Sequence, residues 1–161
     1  MTLDAFAVIA LFAPIDVGTS IARSAWPAHV TLVSNFAADA SPGRVIEVVR
    51  DALVDGPPVS ARIAGRALFG PSGDIPVQLV EPDTFPGVHE ALAEAVERLP
   101  GFVADEPDYW HEGYREHITL GFAPDLREGD TLPVRCVATV RLTDEYGTII
   151  DVVEAVPESA R

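Results

Sequence analysis

His29-Val30-Thr31-Leu32, met again towards the other end of the chain as His117-Ile118-Thr119-Leu120, alternates polar with apolar side chains inside an apolar run. Such alternation marks a β-strand, whose neighbouring side chains point to opposite faces. His29 and Thr31 then share one face, and Val30 and Leu32 the other; His117 and Thr119 stand likewise against Ile118 and Leu120. Each strand can bury its aliphatic side in a core while presenting an imidazole and a hydroxyl together. Two imidazoles can divide acid and base roles, and two hydroxyls can hold an anionic group, a constellation suited to phosphate ester chemistry. At ordinary residue usage a given histidine starts such a tetrapeptide roughly 0.2% of the time. With only four histidines in the chain, the pair is a signal and not a coincidence.

On either side of these strands the chain reads as alternating strands and helices. Ala5 to Phe12 is an apolar run, hence a buried strand, closed by Pro14. Asp16 is expected to cap a short helical turn through Arg23, and Pro27 leads into the first motif strand, Ala28 to Phe36. Ser41-Pro42 is a helix start, with the serine as N-cap and the proline at the first helical position. Val45, Val48, Val49, Ala52 and Leu53 follow at helical spacing until Gly56-Pro57-Pro58. Residues 59–69 alternate as a strand, Gly70 to Asp74 is a turn, and Ile75 to Glu81 returns from it. The second half repeats this layout, with a helix from Gly87 to Leu99, a loop containing Tyr109, Trp110, His111 and Tyr114, and the second motif strand from Arg115 to Phe122. Val134 to Leu142 and Thr148 to Val156 form two long strands about a turn at Asp144 to Gly147. The expectation is an α+β fold with antiparallel sheets flanked by helices, in one two-lobed unit over residues 1–161.

The chain has 161 residues, 48% of them hydrophobic and 22% charged, with 25 acidic residues against 11 arginines and no lysine. A formal charge of −14 repels long polyanions, whose binding rests on many cationic contacts. Long nucleic acid is therefore an unsuitable partner, while a small phosphorylated nucleotide or short RNA end is compatible. Protein partners are not legible. The lone Cys136 cannot form an internal disulfide and is read as core. The apolar opening from Phe6 to Ala13 lacks a basic leader and is too short to span a bilayer, so no membrane association and a cytoplasmic location are expected.

Two His-x-Thr-Leu strands in a chain of this length, separated by a helix, two strands and another helix, resemble the two-histidine phosphoesterase superfamily. Within it the resemblance is to the branch of 2′-5′ RNA ligase-like and cyclic nucleotide phosphodiesterase proteins. It covers most of the chain in layout, with the two tetrapeptides as its specific part. It implies a bilobal fold with pseudo-twofold duplication, a central cleft floored by the motif strands, and metal-independent chemistry on phosphodiesters, often a 2′,3′-cyclic phosphate. His29 and Thr31 match the first family motif, and His117 and Thr119 the second. The segment before His29 is shorter than in that pattern, and basic residues are sparser.

The expected reaction is hydrolysis of a small, 2′,3′-cyclic or short oligonucleotide phosphodiester. His29 and His117 serve as acid and base in an order left open, and Thr31 and Thr119 bind the phosphate oxygens. No cofactor is expected. No metal is expected either, since the chain has no His-Glu-x-x-His, no cysteine pair and no carboxylate on either motif face. Arg115, two before His117, can reach a phosphate as a bidentate donor, and Tyr114 can stack on a base. Trp110 and Phe69 are read as packing residues, and His89 and His111 as surface or structural ones. Glu116 falls on the core side by alternation, so exposure at a strand start is expected to relieve it. Two other functions stay open: a phosphate- or nucleotide-binding protein without turnover, and 2′-5′ joining or trimming of RNA ends.

Overall fold

The computed structural model describes residues 4–82, 85–119 and 126–155. Ten strands, β1 (Asp4–Leu11), β2 (Ser20–Ala22), β3 (His29–Ala38), β4 (Ser60–Phe69), β5 (Ile75–Val80), β6 (Val103–Ala104), β7 (His117–Thr119), β8 (Thr131–Pro133), β9 (Cys136–Leu142) and β10 (Tyr146–Glu154), accompany two helices, α1 (Pro42–Ala52) and α2 (Phe85–Val96). They form two antiparallel sheets. The larger runs β2-β10-β9-β1-β3-β6 and the smaller β7-β5-β4-β8. The expected α+β class with antiparallel sheets and flanking helices is what the chain adopts.

Local chemistry accounts for most of these elements. The Ser41 side chain caps α1 by accepting the Arg44 N–H at 3.2 Å, with Pro42 behind it as expected. Val45, Val48 and Val49 then face inward into the core that Leu92 and Val96 of α2 also enter. β1 is central in its sheet and buried on both faces. Phe6, Val8 and Ala10 enter the main core, while Ala7, Ile9 and Leu11 enter a second cluster with Cys136, Ala138 and Val140. Cys136 is accordingly a core residue, as expected.

Two expectations need correcting. The segment after Asp16 is not a helical turn through Arg23. It turns at Val17-Gly18, with Gly18 at φ +93°, and Ser20–Ala22 then pair with β10 as an edge strand. The backbone hydrogen bonds that β10 offers outweigh the local capping signal. Glu116, expected in water, is only 9% exposed. Its carbonyl accepts the Val80 N–H at 3.1 Å, which holds residue 116 in the sheet's alternation and turns its side chain to the core side. Leu120, Gly121 and Phe122 of the second motif strand, and Val156 of the last strand, lie outside the described residues.

Candidate active site

β3 and β7 belong to different sheets but pack together. Val30 and Leu32 of β3 and Ile118 of β7 are fully buried in the same core. Burial stabilises each by about 1.5–3 kcal/mol. A one-residue slip would exchange these side chains for His29, Thr31, His117 and Thr119, so the register is strongly held. Across β1, Leu11 pairs with His29 and Ile9 with Thr31. Across β5, Leu79 pairs with His117 and Val77 with Thr119.

The two imidazoles share one local arrangement. His29 Nδ1 lies 2.8 Å from the Pro27 carbonyl and His117 Nδ1 lies 2.7 Å from the Arg115 carbonyl, each two residues upstream. A carbonyl only accepts, so each Nδ1 carries the proton and donates it, leaving Nε2 as the nitrogen available for chemistry. Both rings are held below the ordinary histidine pKa. Burial is the main cause for each; the charge of His117 adds to it at His29, and that of Arg115 at His117.

A pocket of about 250 Å³ is walled by Thr31 from β3, His117 and Thr119 from β7, Arg115 and Tyr114 before β7, and Phe69 from β4. Ser34, Glu106 and Tyr109 line it as well, with Gly70 and Pro71 of the β4–β5 turn and Ile75 and Val77 of β5. Five of the six residues singled out from sequence are thus brought together. His29 is not part of that lining. Its ring lies 5.6 Å from that of Trp26, near enough to His117 to feel its charge. Among the described residues no three His, Cys, Asp or Glu side chains converge as metal ligands, and no helix is long and apolar enough to cross a membrane.

The loop before β7 is anchored, not loose. Trp110 is buried and its Nε1–H donates to Ser34 Oγ at 2.8 Å, in keeping with its expected packing role. The Tyr114 hydroxyl donates to the Thr31 carbonyl at 2.9 Å. Burial, aided by the Glu116 charge, raises the Tyr114 pKa. Its ring stacks on His89 at 4.1 Å and 3°, so Tyr114 offers the pocket a wall and not a free hydroxyl. His89 is structural and deeply buried. Its Nδ1–H donates to the Leu32 carbonyl at 2.7 Å, and its Nε2 accepts the His111 N–H at 2.9 Å. His111 is at the surface with φ +56°, bridged to Glu90 and Glu97, and those carboxylates raise its pKa.

Phe69 is the lining residue that sequence reading undervalued. It ends a strand beside a glycine turn, a place equally suited to packing, and only its contacts across the sheet reveal the pocket role. Ser34 and Glu106 carried no signal at all.

The model of the 2'-5' RNA ligase superfamily matches residues 12–139. A search of the curated proteins finds no match.

Proposed function

Because the chain belongs to the 2'-5' RNA ligase superfamily, and is thereby an enzyme of phosphodiesterase or ligase type, we propose that it hydrolyses a small phosphodiester, a 2′,3′-cyclic nucleotide or short RNA end, with two histidines and no metal. One observation carries this reading. Both His-x-Thr strands bury their aliphatic residues in a common core and spend each Nδ1–H on a backbone carbonyl, which leaves each Nε2 free. His117 lines the pocket, and the reading requires His29, outside the lining, to reach the ligand from beside it.

The chemistry balances without a cofactor. One neutral imidazole takes a proton at Nε2 from the attacking water as its oxygen bonds to phosphorus. The other, protonated, gives its Nε2 proton to the ribose oxygen as that P–O bond breaks. Thr31 and Thr119 hydroxyls donate to the non-bridging oxygens, where charge is held in the transition state, and Arg115 adds a fixed cation. Tyr114 walls the ligand. Each sheet supplies one motif strand, so we read the two sheets as the two lobes of one duplicated domain, with the pocket as their cleft.

The test is a panel of 2′,3′-cyclic nucleotides followed by phosphorus NMR in the presence of EDTA. Ring opening is expected, with loss of about a hundredfold or more in His29→Ala and in His117→Ala, while thermal unfolding stays cooperative. Either variant turning over at the parent rate would refute the assignment. Ligand binding without product would favour a binding protein, and joining of RNA ends without ring opening would favour ligation.

A further inference from the structure

Phe69 closes β4, and its ring touches two groups at the start of the second motif strand. The Arg115 guanidinium carbon stands 4.6 Å above the ring centroid. The His117 imidazole meets the same ring edge-to-face, 4.6 Å between centroids with the planes 64° apart. All three residues line the pocket. Among the described residues no carboxylate pairs with Arg115. An arginine side chain left to itself samples many rotamers, and the negative face of an aromatic ring is a favourable seat for its cation.

We propose that Phe69 is a positioning residue of the phosphate site, holding the Arg115 guanidinium beside the His117 ring so that an incoming phosphate meets a cation already in place. Phe69 donates nothing to a ligand itself. Its effect passes through Arg115, in two ways: it pre-orders a bidentate anion contact, and it keeps a positive charge where that charge disfavours the imidazolium. The His117 pKa is lowered chiefly by burial, against the hydrogen bond to the Arg115 carbonyl, with the Arg115 charge lowering it further. Other titratable groups lining the pocket are Glu106, Tyr109 and Tyr114 from the loop preceding β7, and the His29 ring on β3 is coupled to His117 by charge. None of these touches Phe69 among the described ring contacts. The proposal deepens the phosphodiesterase reading and rests on it for the identity of the anion.

The experiment is an NMR titration of the histidine Cε1–H signals, with inorganic phosphate binding measured on the same samples. Arg115→Gln is expected to raise the His117 midpoint by about half a pH unit, since a nearby cation has been removed. Phe69→Leu is expected to raise it similarly, with the Phe69→Leu/Arg115→Gln double variant moving no further than Arg115→Gln alone. Phe69→Tyr keeps the ring and should keep the parent midpoint. Phosphate affinity should fall about fivefold in both single variants that release the cation. The His111 signal, set by Glu90 and Glu97, reports that each variant is folded. Additive shifts in the double variant would overturn the proposal. So would a Phe69→Leu protein with the parent His117 midpoint and phosphate affinity. Neither readout needs turnover: a protein that behaves as expected here but opens no cyclic phosphate would sink the reaction and leave the role of Phe69 standing.

Discussion

His29 and His117 are both pushed towards the neutral form, chiefly by burial, which outweighs the hydrogen bond each donates to a backbone carbonyl, with a neighbouring positive charge adding to it. Acid–base catalysis by a pair needs one ring neutral and the other protonated, so the proposed mechanism predicts a pH profile of kcat/KM that is a bell between the two pKa values of the free protein. With both lowered, the bell is centred below the reference value of about 6.5 and falls on the alkaline side as the acid loses its proton. A maximum above about 7.5 would contradict this. Glu116 titrates in the opposite sense. Burial raises its pKa, and its Oε2 has no hydrogen-bond partner among the described residues. A carboxyl with a raised folded pKa favours the fold below its unfolded value and weakens it as pH rises through the folded one. Glu116→Gln should therefore match the parent in stability near about pH 4 and exceed it increasingly towards neutrality, as urea unfolding across that range will show. A gap that does not grow with pH would mean that the carboxyl is well solvated. The histidine and threonine positions were legible as residues because alternation places them. The burial of Glu116 was not, because it depends on a hydrogen bond to Val80 on another strand.

Of the elements, the loop before β7 is the one that shapes the pocket wall, and its anchor is a buried histidine. His89 on α2 satisfies the Leu32 carbonyl on one side and the His111 N–H on the other, and supports the Tyr114 ring. His89→Leu keeps the volume but leaves both backbone groups unpaired, at a cost of about 2–4 kcal/mol. Urea unfolding followed by tryptophan fluorescence measures it, and a loss under about 1 kcal/mol would show that water replaces the ring without penalty. Long periodic elements were readable: α1 begins at its Ser41 cap, and β3 begins within one residue of the expected start. β2, β6 and β8 were not. Two or three residues contain no period to read, and these strands exist because a neighbour offers hydrogen bonds.

As a whole molecule the chain sets its pocket, which we propose holds a phosphate, in a field of net charge −14. Arg115 is the one cation among the described residues that line it. Single-strand binding weakens with salt by about 0.7 in log–log slope for each phosphate neutralised. A short oligonucleotide with a labelled end is expected to show a slope no steeper than about −1.4 by fluorescence anisotropy, corresponding to one or two contacts. A slope beyond about −4 would reveal a surface for long RNA and overturn the small-substrate reading. Class, the faces of the long strands, the Ser41 cap and the residues of the proposed site were readable from the chain alone, because each rests on residues a few positions apart. Beyond the two hairpins, which strands pair, why Phe69 reaches both Arg115 and His117, and how Glu116 comes to be buried emerged only on folding. Those contacts join residues tens of positions apart, and their energy exists only once the two sheets close on a shared core.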